Sequence, residues 1–278
     1  ILPTSTNPLC RGQTTTTLVG DNPLLRENAF RKGSIANYGY RATGGGANYG
    51  YFISLNKDLN TGVLPNNEFG RQGLRMNFNF VPDPKVTVNA SLAVQQSRVK
   101  APINDNNIYG FLGGGLLGTP LSRTDNGSGA DGWFGSERDV NSISAIDNNL
   151  VSRGTTAGVT VNFIPMPWFT HRLTVGGDIL LDETTSFFPR NSRGSYTGLL
   201  NTGSNFQQRN GIQRYTVDYL ANAKRNFGAN GEFELNGSAG FQMIQTRNDF
   251  INITGTGFVT NANNVPSSAS QTSGGGQR

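Results

Sequence analysis

The sequence predicts an all-β chain, an antiparallel transmembrane β-barrel with about eight strands within these 278 residues. Three observations carry the prediction. Apolar and polar residues alternate with period two over long segments, as a strand requires when its two faces meet different surroundings. The apolar sets carry no charge over their central positions. The connections between these segments alternate between short and long, the habit of membrane barrels with tight turns at one end and loops at the other.

The elements follow in order. The first strand spans about 34–43, with Ala36, Tyr38, Tyr40 and Ala42 against Asn37, Gly39, Arg41 and Thr43. The second, about 47–57, sets Tyr49, Tyr51, Ile53 and Leu55 against Asn48, Gly50, Ser54 and Asn56. The stretch "GLRMNFNFVPDPKVTVNASLAV" (73–94) gives strands three and four about a Pro-Asp-Pro turn, with Leu74, Met76, Phe78, Phe80, Val86, Val88, Ala90, Leu92 and Val94 on one face. Strand five (about 154–164) aligns Ala157, Val159, Val161 and Phe163, and strand six (about 169–182) aligns Leu173, Val175, Ile179 and Leu181. Strand seven (about 212–225) carries Tyr215, Val217, Tyr219 and Ala221, and strand eight (about 231–244) carries Phe233, Leu235, Ala239, Phe241 and Met243. Phe52, Leu180 and Leu220 break the pattern by falling on the polar side.

Short turns are expected at 44–46, 81–85, 164–168 and 228–231, and long loops at about 58–69, 98–153, 183–210 and 246–278. "NFVPDP", "NFIPMP" and "NFGANG" each close a strand with Asn-Phe before a short turn. Their phenylalanines, Phe80, Phe163 and Phe227, are expected at one level, as an aromatic ring at the membrane–water boundary. The prolines suit turns because they lack a ladder donor.

The orientation of the apolar face decides the class. Strands of ten or more residues match the ~9–11 that a tilted membrane strand needs and exceed the soluble average of about five or six. Only 15% of residues are charged, fewer than a soluble outer surface usually carries, and the polar faces are rich in Asn, Thr, Ser and Gly as a hydrated lumen would be. No segment approaches the ~18 apolar residues of a membrane helix. The net charge of +5 is scattered rather than blocked, so nucleic acid is not an expected partner.

Residues 37–94, "NYGYRATGGGANYGYFISLNKDLNTGVLPNNEFGRQGLRMNFNFVPDPKVTVNASLAV", resemble the early barrel of SusC/RagA-type TonB-dependent outer-membrane transporters. The resemblance lies in a Ser-Gly-Gly-like turn (Thr43–Gly46), a Tyr-rich strand (Tyr49-Gly-Tyr-Phe), a Gly-hydrophobic element (Gly62-Val63), and Phe69 and Arg71 before the next strand. "DNPLLRENAFRKGS" (21–34) is similar to the family's approach to this hairpin, and 107–133 sits where the family has an extracellular loop. The resemblance implies a 22-stranded barrel with an N-terminal plug in the bacterial outer membrane, surrounded by lipid. It implies TonB-energised uptake of glycans, peptides or similar nutrients, and a SusD-like lipoprotein partner. No plug, TonB-contacting segment or closing aromatic strand is recognisable, so the chain is expected to be a mid-barrel piece of a longer protein. An eight-stranded complete barrel is an allowed alternative, but its lumen would need filling and the inward side chains look too small.

Candidate chemistry is sparse. "GGGLLG" (113–118) fits G-x-G-x-x-G but is expected inside a loop with no helix after it, which argues against a dinucleotide site. "DNGSGAD" (125–131) could supply oxygens to calcium but lacks a bidentate Glu, and a polar turn explains it as well. His171 is the sole histidine, read as a boundary residue opening strand six, and nothing activates Cys10. No catalytic residue, cofactor or metal is expected, and the chain is read as a transporter rather than an enzyme. Trp133 and Phe134 beside Arg138 and Asp139 form the candidate recognition surface, of the kind that stacks on a sugar ring or docks a partner. Arg41, Arg75, Arg172, Asp178, Arg214 and Asp218 are expected to face the lumen, to contact plug or substrate or to pair across strands. A passive porin and a β-sandwich adhesin are the rival readings.

Overall fold

A computed structural model describes residues 22–26, 28–103, 110–117, 140–190, 202–228 and 232–277. Backbone pairing turns the alternation into nine antiparallel strands joined in sequence order, β1-β2-β3-β4-β5-β6-β7-β8-β9. They are β1 (Ser34–Gly45), β2 (Tyr49–Thr61), β3 (Glu68–Asp83), β4 (Val86–Ala101), β5 (Asp147–Met166), β6 (Phe169–Phe188), β7 (Ser204–Phe227), β8 (Phe233–Thr256) and β9 (Gln271–Gln277). Every neighbour is the next strand in the chain, so the sheet is one open meander with β1 and β9 at its edges. Three short helices, α1 (Pro23–Arg26), α2 (Phe111–Leu117) and α3 (Val140–Ser144), lie among the loops.

The turn ends lie where expected. Tyr51 faces Gly44 across the β1–β2 hairpin, and a Cβ at Gly44 would overlap its phenol ring. The tyrosine thereby covers a glycine at the hairpin end. After Phe80 and after Phe163 the register shifts, and the next amide is handed to the preceding turn: Val81 N–H donates to Asn48 O (2.7 Å) and Ile164 N–H to Lys85 O (2.8 Å). The first two Asn-Phe repeats are thus the places where one hairpin ties its rim to the hairpin before it.

The loop ends correct the expected boundaries. β5 begins at Asp147 rather than 154, β6 runs to Phe188, β7 starts at Ser204, and β8 continues to Thr256. The long connections shrink to 62–67, 102–146, 189–203 and 257–270. The reason is that amphipathic alternation stops where the apolar band stops, while the hydrogen-bond ladder continues for as long as a neighbour is present. The Ser/Gly-rich end is also a strand: Gln271–Gln277 pairs with Phe250–Thr256. Residues 113–117 of the glycine run lie within α2 rather than before a helix, which removes the phosphate-binding geometry.

Among the described residues, the buried hydrophobic side chains are Ala29, Leu64, Ile103, Phe111, Ile143, Ile146, Phe187 and Phe258. All lie at the loop end. Ala29, Leu64, Phe111 and Ile143 pack together with Leu24 and Val140 against them, and Ile103 and Ile146 pack with Phe188. Gly115 of α2 lets Leu24 of α1 approach into the space a side chain would take. Arg31 fastens the segment before β1 to the β2–β3 loop, donating to Gly62 O and Asn67 O at 3.1 Å each and approaching Glu68 at 3.6 Å.

Candidate functional site: the two faces of the wall

The outward set begins with the rows of the register. One row runs Gly44, Tyr51, Phe78, Ala90, Val159, Val175, Val217, Met243, and the next toward the turns runs Tyr49, Phe80, Val88, Val161, Leu173, Tyr219, Phe241. No charge interrupts either. No second sheet covers them: Val159 is 43%, Ile179 45% and Val175 48% exposed in the middle of the sheet. Fully removing one such side chain from water is worth about 1.5–3 kcal/mol. A face built of them is stable only against hydrocarbon or another protein.

At the turn end of this face the aromatics gather. The Phe169 ring meets His171 edge-on at 4.3 Å, and Phe163 stacks on the other side of His171 at 6.0 Å. His171 Nδ1 and the Tyr219 hydroxyl lie 2.7 Å apart, and Tyr219 reaches Phe241 at 6.0 Å. The Arg225 guanidinium stands 5.9 Å from the Trp168 ring and 5.7 Å from that of Phe227. His171 is the boundary residue its position implied, and it sits at the centre of a wider aromatic belt than the three Asn-Phe repeats foretold.

The level of those repeats needs one correction. Phe80 pairs with Val88, while Phe163 pairs with Val86, one step nearer the turns. Strands tilted by roughly 35–45° move a constant height by about two to three residues for every two strands crossed, so Phe80 and Phe163 share a level. Phe163 leads through His171 to Ala221, and Phe227 lies a further six residues along β7. That puts Phe227 roughly 8–10 Å nearer the turn end than the others. "NFGANG" lacks the proline-rich register shift, and its strand ends on the phenylalanine itself.

Level with those uncharged rows, the charges lie on the opposite face. Arg41, Ser54, Arg75, Ala93, Thr156, Asp178, Arg214 and Thr246 form a single row, so four of the six expected lumen residues stand side by side. Thr156 Oγ1 donates to Asp178 at 2.7 Å. Arg172 and Asp218 form an ion pair at 3.8 Å, to which Gln242 adds a 3.4 Å hydrogen bond on Asp218. Two rows further toward the loops, Arg71 binds Asp58 through Nε at 2.8 Å and Nη2 at 2.6 Å. This pair escapes sequence reasoning because Asp58 and Arg71 flank an expected loop; only the continued alternation 54, 56, 58 would have found it.

Between these charges and the turns lies a hollow of about 500 Å³ lined by Phe52, Asn77, Asn79, Asn89, Ser91 and Thr160 among others. Its polar groups are partly paired, Asn79 to Asn89 at 2.8 Å and Thr160 to Thr174 at 3.0 Å. Gly158 and Gly176 face one another in the row between Ser91 and Thr216. The inner face is therefore low in relief where the outer one is bulky. Phe52, anomalous in the sequence, lines this hollow and gives it an apolar contact.

Trp133, Phe134, Arg138, Asp139 and the 125–131 segment lie outside the described residues. Among the described residues no group of three His, Cys, Asp or Glu is placed to hold a metal ion, and no helix is long and apolar enough to cross a membrane.

No protein-family model and no curated protein matches the chain. Solved structures do. The RagAB peptide importer in its closed-closed state matches with a TM-score of 0.68 at 18% identity, over 93% of this chain and 30% of that one. A RagAB peptide transporter structure matches with a TM-score of 0.64 at 15% identity over the same shares. The importer's open-open state matches with a TM-score of 0.71 at 18% identity, over 92% and 29%. This chain has the fold of a stretch of transporter β-barrel wall, the fold that the SusC/RagA resemblance implied. It spans about 30% of the length of those solved chains.

Proposed function

We propose that the chain forms part of the barrel wall of a TonB-dependent transporter in a bacterial outer membrane, with the uncharged rows facing lipid and the row of Arg41, Arg75, Asp178 and Arg214 facing the lumen. The observation that carries this reading is the uncharged Val159–Val175–Val217 row, with Val159 and Val175 exposed, flanked on the inner face by Gly158, Thr160, Thr174, Gly176, Thr216 and Asp218. A spanning strand must pair its backbone groups with neighbours because hydrocarbon offers no partner, and the continuous nine-stranded ladder does so. The low-relief inner stripe through Gly158 and Gly176 suits close approach by a plug domain.

Nutrient import is the activity of this wall, not catalysis. RagAB imports peptides, and by likeness the substrate class is a peptide or glycan. A SusD-like lipoprotein would sit on the loop end, and TonB would act through the plug. Recognition falls to the long loops, with Trp133, Phe134, Arg138 and Asp139 as stacking and polar contacts.

Cysteines placed singly at Val159 and Thr160 in a Cys10→Ser background, each carrying a fluorophore, test the orientation. In membranes containing brominated lipid, the label at 159 should be quenched and that at 160 spared. Equal quenching, or none at 159, refutes the wall. Peptide uptake by cells should disappear without TonB; uptake that persists makes the protein a passive channel.

A further inference from the structure

The outward face does not end at the apolar band. Beyond it, toward the loops, six cations point outward: Lys57, Arg98, Lys100, Arg153, Arg209 and Arg247. Four have carboxylate partners. Lys100 meets Asp147 at 3.1 Å, Arg153 and Arg209 share Glu183, and Arg247 meets Asp249 at 3.3 Å. Among the described residues Lys57 and Arg98 have none. Glu68, the nearest outward acid on β3, is engaged by Arg31, and Arg98 is held by the neutral Asn149 at 3.2 and 3.3 Å.

These two cations are neighbours. Both line a hollow of about 170 Å³ with Leu59, Gly70, Gln72 and Gln96. Gly70 stands between Leu59 and Arg98 in its row and leaves a notch there. The Gln72 amide donates to Gln96 at 3.3 Å beneath. Two strand spacings and a two-residue step separate Lys57 from Arg98, about 12 Å between Cα atoms, a span that two long side chains close around one small anion. Directly toward the band, Lys57, Gln72 and Gln96 form the rim of a groove of about 630 Å³ whose walls are Tyr38, Tyr40, Leu55, Leu74 and Val94.

We infer that this part of the outer wall, β1 to β4, is a binding site for one phosphorylated membrane lipid, its acyl chains in the Tyr40–Leu55–Leu74–Val94 groove and its phosphate between Lys57 and Arg98. The charge pattern selects this occupant. An apolar groove alone would accept any tail, but two cations without acidic partners, placed where the band meets water, complement an anionic headgroup. The inference rests on the outward reading of these rows. The two fail separately: a protein that stays soluble without detergent sinks the membrane wall, whereas loss of lipid selectivity in a detergent-requiring protein sinks only the site.

The test is native mass spectrometry of the intact protein in a non-ionic detergent, titrated with short-chain phosphatidic acid. Phosphatidylcholine of the same chains and inorganic phosphate serve as comparators. Phosphatidic acid should bind in preference to phosphatidylcholine, and Lys57→Gln with Arg98→Gln should weaken it about 25-fold, about fivefold per charge. The charge-conserving pair Lys57→Arg with Arg98→Lys should keep the affinity, Gly70→Leu should reduce it by filling the notch, and Arg153→Gln should leave it unchanged. Equal retention of phosphatidylcholine, equal competition by inorganic phosphate, or indifference to the double glutamine variant overturns the proposal.

Discussion

The two ends of this molecule are stabilised in opposite ways. In the turn half, the large apolar side chains of β1–β8 point off the sheet and are half-buried or exposed, and among the described residues none is buried there. In the loop half, Phe111, Ile143 and Ile146 are almost completely buried in small cores, as in any soluble domain. The same sheet runs through both. Half of it relies on a solvent that the chain does not contain, and the other half carries its own core. The lesson is that burial within the chain measures stability only where water is the surroundings. In the band, the relevant quantity is the match between an uncharged outer face and hydrocarbon.

The contrast breaks most readily in the middle of the band. Val175→Arg should cost about 2–4 kcal/mol in lipid, whereas Thr174→Arg on the inner face should cost less than about 1 kcal/mol, both read from denaturant unfolding in bilayers. Equal costs would mean that the two faces meet similar surroundings. Phe111→Ala should remove about 3–5 kcal/mol from the loop-half core. Limited proteolysis should then open the α2–α3 region while the thermal transition of the barrel stays in place; a matching fall in that transition would show that the two halves are one cooperative unit.

Smaller effects sharpen the boundary between the halves. Gly44→Val should displace Tyr51 from the β1–β2 hairpin, at about 1–3 kcal/mol for overpacking, visible in tyrosine fluorescence and in barrel stability. Smallest of all, Glu183→Gln should leave Arg153 and Arg209 without their shared carboxylate and change stability by at most about 1 kcal/mol, an effect that disappears at high salt. A larger, salt-independent loss would place that network in a drier setting than the loop half provides.

Much of the wall was legible. The alternation named the outward residues from Tyr38 to Met243, placed four turns, and assigned Arg41, Arg75, Asp178 and Arg214 to the polar face, where they share a row. Phe52 breaks the alternation and lines the inner hollow. The candidate recognition loop lies outside the described residues, and the Asp58–Arg71 pair is hidden because both residues border an expected loop into which the strands continue past the apolar band.

The sequence by itself determined which side chains share a face, since alternation is a local property of an extended backbone and needs no partner. Only the tertiary structure decided how far each strand runs, that Gln271–Gln277 joins the sheet, that α1, the β2–β3 loop, α2 and α3 build a core, and that Lys57 and Arg98 meet beside one groove. Those outcomes depend on hydrogen bonds and contacts between segments far apart in the chain, where the register of one strand on its neighbour, rather than any pattern within a strand, fixes what comes together.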